Sequence, residues 1–168
     1  MNKKPKVINI LFCGIGGQGV LTASELCALA ALLEGYHVKK SDVHGMAQRG
    51  GSVQSHLRFG EEVFSPLIPK GKVDYMLSLD KNEHDCLKDF LTPHGVDLIE
   101  YLERASEHID DKKFLNSYLS GILSQFLSIS QRHWLKAIEF IFSHKNLEDN
   151  KRFFLKGRNA TSSRGSPV

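Results

Sequence analysis

The sequence predicts an α/β fold, a Rossmann-like three-layer α/β/α sheet that opens with a β-α-β unit and is followed by C-terminal helices. Three observations carry this prediction. The apolar run Val7-Ile8-Asn9-Ile10-Leu11-Phe12-Cys13 stops at a glycine-rich turn, Gly14-Ile15-Gly16-Gly17-Gln18-Gly19, the pattern of a buried strand leading into a helix. Val20 to Leu33 is rich in Ala and Leu and carries few charges, and His37 to Ser41 then fits a second short strand. The last third of the chain repeats apolar residues at helical spacing.

The elements follow in order. Leu21, Leu26, Leu29, Ala30 and Leu33 fall near helical spacing and describe a helix largely covered by protein, with Gly35 where a C-cap would stand. Val43 to Gly51 is a loop by composition. Ser52 to Phe59 alternates, placing Val53, Leu57 and Phe59 on one strand face. Gly60 begins a turn, with Val63-Phe64 as the return of a hairpin. Pro66 and Pro69 bracket an extended segment. Val73 to Leu79 reads as a buried strand, and Asp80 or Asn82 caps a helix to about Leu91, where Pro93 and Gly95 break the chain. Three C-terminal helices follow. Leu119, Ile122, Leu123, Phe126 and Leu127 stripe the first, and Trp134, Leu135, Ile138, Ile141 and Phe142 the second. The third, Leu147 to Leu155, ends before Gly157.

The chain of 168 residues is read as one domain over 1–158, with 159–168 as a disordered tail of small and polar residues. A net charge of +3 with dispersed basic residues argues against a nucleic-acid partner. No run reaches the roughly 18 apolar residues of a membrane helix. The basic N-terminus is not followed by the apolar region of a signal peptide. Three widely spaced cysteines, Cys13, Cys27 and Cys86, contain no C-x-x-C pair, against a disulfide framework and a metal or iron–sulfur site in this chain. A cytoplasmic, metal-free protein is expected.

Gly14, Gly16 and Gly19 satisfy G-x-G-x-x-G between a strand and a helix, where a backbone can approach an anion at a helix N-terminus. The acidic residue that would contact a ribose is poorly supplied: around the second strand only Asp42 is acidic, and it comes late. The competing account is that the glycines let strand and helix pack closely. Gln18 is the side chain at this turn with hydrogen bonds to offer a ligand. In the next loop Arg49 presents a planar fork suited to carboxylate or phosphate. Gly45, Gly50 and Gly51 free its flanks, and His44, Gln48 and Ser52 stand beside it. An isolated arginine would read as a solvated surface residue. His56 reads as a satisfied sheet histidine with Arg58 on the same side, Trp134 as core, and Cys13 as a small buried hydrophobe.

The whole string shifts that balance. Ser41-Asp42-Val43-His44-Gly45-Met46-Ala47-Gln48-Arg49-Gly50-Gly51-Ser52-Val53, then Ser55-His56-Leu57-Arg58-Phe59-Gly60 and Ser65-Pro66-Leu67-Ile68-Pro69-Lys70-Gly71, resemble the γ-type subunits of 2-oxoacid:ferredoxin oxidoreductases. The His-Gly-Met-Ala-Gln form is similar to the indolepyruvate branch. The resemblance covers about Ile8 to Glu83 closely and resumes more loosely at Asn116 to Phe126 and Trp134 to Gly157. Between Pro93 and Asn116 such subunits carry additional strand and loop structure, so a shortened sheet is expected here.

The resemblance implies a small subunit of an enzyme that oxidatively decarboxylates indolepyruvate and other aryl pyruvates to acyl-CoA while reducing ferredoxin. Thiamine diphosphate and 4Fe–4S clusters would lie on a large (alpha) subunit, with coenzyme A as co-substrate and ferredoxin reached through the complex. This chain alone would bind no cofactor, carry no catalytic residue and no metal, be inactive when isolated, and form a homodimer in the absence of its partner. Its ligand contacts would come from Gly14, Gly16, Gly17, Gln18, Gly19, His44, Gln48, Arg49, Gly50, Gly51 and Ser52. The rival reading is a stand-alone nucleotide-binding or regulatory module. A NAD-dependent dehydrogenase is disfavoured by the missing ribose carboxylate and by the lack of room for a substrate domain.

Overall fold

The apolar run at the start of the chain becomes the middle of a sheet. In the computed structural model, which describes residues 7–46 and 50–160, β1 (Val7–Ile15) buries Ile10, Leu11, Phe12 and Cys13 completely, because it has a strand on either side and helices on both faces. With β2 (His37–His44), β3 (Ser52–Gly60), β4 (Val73–Ser78) and β5 (Leu91–Asp97) it forms a sheet in the order β2-β3-β1-β4-β5. β1 runs parallel to β4, and β4 to β5, whereas β3 is antiparallel to both β1 and β2. The opening β-α-β unit is therefore present, with α1 (Val20–Leu33) as its crossover. Its two strands are not neighbours, since β3 lies between them.

The two faces differ in depth. On one, α1 joins α3 (Ile99–Arg104), α4 (Leu115–Ser124), α5 (Gln131–Ile141) and α6 (Leu147–Ala160) to enclose the large core around Phe12, Leu57, Phe59, Leu77, Ile122, Trp134 and Phe154. On the other, α2 (Lys81–Leu87), a 3-10 turn over Lys88–Phe90 and Ile68 cover Leu11, Cys13, Val73 and Met76. The three-layer expectation holds, with one thin layer.

α1 turns small residues inward: Ala23, Cys27, Ala30 and Ala31 are buried, while Leu32 and Leu33 stand 58% and 41% exposed. The expected stripe through Leu33 is thus corrected, because small side chains let the helix lie close to the sheet. α6 runs through Gly157 to Ala160, past the expected stop. Gly157 meets the Tyr118 carbonyl and Gly121 meets the Phe154 carbonyl, so both glycines serve a backbone-to-backbone crossing of α4 and α6. The expected tail boundary moves with it: residues 159 and 160 are helical, and 161–168 lie outside the described residues.

Three further expectations change. β2 continues through Asp42, Val43 and His44, paired with Ser55, Gln54 and Val53, which shortens the loop. Val63-Phe64 forms no return strand. Val63 N–H instead donates to His37 Nδ1 at 2.9 Å, and the valine side chain tucks in while Phe64 is exposed. Pro93 and Gly95 do not break the chain but sit within β5, an edge strand, where a missing N–H is tolerated. The expected gap in the sheet is therefore partly filled.

Candidate functional site

All the parallel strands end on one side of the sheet, the side where α/β proteins gather their ligands. The glycine turn leaves β1 there, the β2–β3 loop closes there, and α2 begins there after Asp80, whose Oδ1 accepts from the N–H groups of Asn82 and Glu83 at 2.9 and 3.1 Å.

The turn is held tightly. Gln18 N–H donates to the Ile15 carbonyl at 3.1 Å, and the Gln18 Oε1 accepts from Ile15 N–H at 2.8 Å. Gln18 is expected as a ligand contact, yet its amide oxygen is spent on closing its own turn. Gly14 is required by that closure, since a Cβ there would lie 2.7 Å from Gln18 Oε1 and 2.8 Å from Val20 Cγ2. Gly17 and Gly19 have φ of 95° and 87°, the left-handed region that glycine enters at little cost. Gly19 then caps α1 and packs on Asn116.

The second loop is fastened to the first. Gly16 N–H donates to the Gly51 carbonyl at 2.9 Å, and Gly45 N–H to the Ser52 carbonyl at 2.7 Å. Gly50, with φ of 65°, rests against Ile15. The Gly50-Gly51 backbone thus lies where an open dinucleotide turn would receive a pyrophosphate, and the Gly16 donor is already engaged. Ser52 donates its hydroxyl to Glu83 Oε2 at 2.6 Å, which ties this loop to α2. His44 is exposed at the end of β2. Gln48 and Arg49 lie outside the described residues.

The α2 side of this edge is acidic. Asp80 and Glu83 stand at the helix start, and Asp97 Oδ2 at the end of β5 lies 2.7 Å from His84 Nε2, placed to accept its proton. Burial pushes the Cys13 thiol up to about 11, with Glu83, Asp97 and Asp80 adding to the rise against a hydrogen bond to Ser78. Such a thiol is protonated at neutral pH and is no nucleophile. Asp42, the one candidate for a ribose contact, is engaged by Lys40 Nζ at 2.6 Å and Ser55 Oγ at 2.6 Å. Burial alone would raise its carboxyl, but the Lys40 and Ser55 hydrogen bonds outweigh it and hold the group below its ordinary value. His56 is buried, accepts from Ile68 N–H at 3.2 Å and has its pKa lowered by that burial.

On the opposite flank of the glycine turn a cleft of about 600 Å³ opens between α3 and the start of α4, lined by Gln18, Leu79, Leu102, Ile109, Asp110 and Lys112 among others. It combines apolar walls with one cation, Lys112, and one carboxylate, Asp110, which suits an apolar ligand arm with a polar end. Glu83, Asn116 and this cleft are site features that motif reading did not supply. Asn116 lay in a stretch resembling the family, but its contact with Gly19 depends on how α4 packs. No group of three or more His, Cys, Asp or Glu side chains is arranged to hold a metal ion among the described residues.

Comparisons with known proteins agree with this fold. Residues 9–101 match the family described as pyruvate ferredoxin/flavodoxin oxidoreductase. The indolepyruvate oxidoreductase subunit IorB of Thermococcus kodakarensis is 50% identical over 78 residues, 46% of this chain and 39% of that protein. The IorB subunit of Archaeoglobus fulgidus is 50% identical over 76 residues, 45% of this chain and 37% of that one. The match thus spans about two fifths of the length of these relatives. Among solved structures, the gamma subunit of a keto/oxoacid ferredoxin oxidoreductase from Geobacter sulfurreducens superposes with a TM-score of 0.74 at 20% identity, covering 95% of this chain and 98% of that one. A 2-oxoglutarate:ferredoxin oxidoreductase from Magnetococcus marinus gives 0.79 at 20% identity, covering 97% of this chain and 32% of the other.

Proposed function

This chain belongs to the pyruvate ferredoxin/flavodoxin oxidoreductase family, and from that premise we propose that it is the small subunit of an indolepyruvate:ferredoxin oxidoreductase. The complex would convert indolepyruvate and other aryl pyruvates to acyl-CoA with reduction of ferredoxin. One observation carries the reading: the glycine turn and the Gly50-Gly51 backbone are joined by the Gly16–Gly51 hydrogen bond into a single peptide wall at the ends of the parallel strands. A wall of that kind has little chemistry of its own and is suited to closing a site whose reactive groups come from elsewhere.

Thiamine diphosphate and 4Fe–4S clusters are assigned to a large subunit, with ferredoxin as the acceptor. The donor set here fits that division, since Cys13 and Cys27 are separately buried and Cys86 is exposed. Coenzyme A fits this chain better. The cleft beside Gln18 would take its apolar arm, with Lys112 at the rim as an anion contact. Asp80, Glu83 and Asp97 make the α2 flank unfavourable for phosphate; Arg49 is assigned as the anion contact of the ligand, with His44, Gln48 and Ser52 as further contacts.

The test is co-expression with the large subunit and an anaerobic assay of indole-3-pyruvate with coenzyme A and a viologen acceptor. CoA-dependent reduction that requires this chain is the expected result. In the same assay Arg49→Ala loses roughly ten- to a hundred-fold in turnover, from a charge-assisted hydrogen bond of about 1.5–3 kcal/mol, and melts at the wild-type temperature. A complex that turns over no aryl pyruvate overturns the substrate. No complex at all favours a stand-alone module.

A further inference from the structure

Among the described residues the sheet ends in two edge strands of unlike character. β5 carries Pro93 and Gly95 and pairs with β4 through a register irregularity between Val73 and Tyr75, features that blunt an edge. β2 has neither. It is eight residues long, His37–His44, contains no proline, and among the described residues pairs with β3 alone. Its outward N–H and C=O groups form a ready template for another strand.

We propose that β2 is an interface with a second copy of this chain, joined antiparallel across a two-fold axis at Ser41 into a continuous ten-stranded sheet. The register follows from charge and from the length of strand that can pair. A two-fold normal to the sheet keeps the faces of both copies on the same side, so only residues an even number apart can oppose one another. Centring on Lys39, Lys40 or Asp42 sets identical charges face to face, which is unfavourable, and centring on Val38 or Val43 leaves most of the strand unpaired. Centring on Ser41 sets Lys40 of each copy opposite Asp42 of the other, and Lys39 opposite Val43. No like charges then meet.

The side chains are poised for this arrangement. Lys40 and Asp42 share a face, are 23% and 30% exposed and contact each other at 2.6 Å, so pairing extends an existing ion pair into a ring of four charges. Val43, 42% exposed, gains an apolar neighbour in the stem of Lys39. Lysines on an edge ordinarily deter pairing. Here Asp42 of each copy meets the charge of Lys40.

The proposal is independent of the reaction assigned above, and the full chain tests it. Light scattering on the wild type is expected to give twice the chain mass, and Lys40→Glu, which sets two carboxylates opposite each other, half that value. The double variant Lys40→Asp with Asp42→Lys restores the dimer, with circular dichroism confirming that all three are folded. Residues at the two-fold face each other directly, within disulfide reach. In a Cys86→Ser background, Ser41→Cys therefore cross-links under oxidised glutathione, whereas Lys39→Cys, displaced along the strand, does not. A monomeric wild type overturns the proposal, as does a dimer indifferent to Lys40→Glu or one that cross-links equally at both positions.

Discussion

At the scale of single residues, two glycines decide how the helical layer closes. Gly121 and Gly157 lie at the crossing of α4 and α6, each against a backbone carbonyl of the other helix. In an isolated helix alanine would be favoured over glycine by about 1 kcal/mol. A methyl against a carbonyl has nowhere to go unless a helix moves, and overpacking of that kind costs about 1–3 kcal/mol. The contact opposes the gain and wins, since the obstacle is backbone rather than the end of a flexible side chain. Gly157→Ala is therefore expected to lower the melting temperature, by up to roughly 8 °C, and calorimetry checks it. The same residue shows why sequence reading stopped the last helix early. A late glycine looks like a cap, and only the neighbouring helix reveals it as a contact.

At the scale of elements, α1 and α5 are latched end to end. Glu34 Oε2 at the close of α1 accepts from Ser130 N–H and lies 2.7 Å from His133 Nδ1. Burial would raise the Glu34 carboxyl, but the hydrogen bonds from Ser130 and His133 outweigh it and hold the group below its ordinary 4.5. A carboxylate whose folded value is depressed stabilises above its unfolded value, and the contribution is lost as pH falls through the folded one. Wild type is thus expected to melt above Glu34→Gln at pH 6 and the gap to close well below pH 4.5, which melting curves across that range measure.

Legibility in the sequence followed the same division. β1 and α1 were plain, because a long apolar run and an alanine-rich helix depend little on their surroundings. β5 was not, since Pro93 and Gly95 forbid a central strand and permit an edge one, and periodicity does not say which strand is an edge. Of the candidate site, the glycine turn was legible from its spacing. The engagement of Ser52 by Glu83 was hidden, because it depends on β4 placing α2 beside the loop. The Gln48-Arg49 assignment rests on sequence alone.

At the scale of the whole molecule, the order β2-β3-β1-β4-β5 sets the sequence of assembly. β1 is first in the chain and central in the sheet, yet both its neighbours are made later, β3 by residue 60 and β4 by residue 78. During synthesis the most apolar strand therefore waits with an open side until the second neighbour emerges, and long-range pairings of this kind form slowly. A chain stopped after residue 70 would hold β1, β2 and β3 with one flank of β1 bare, an edge prone to aggregation. It is expected in the insoluble fraction, while a chain stopped after residue 160 stays soluble, and fractionation of the two expressed lengths distinguishes them. The strand that anchors the candidate site is thus also the one most exposed to misassembly before the chain is complete.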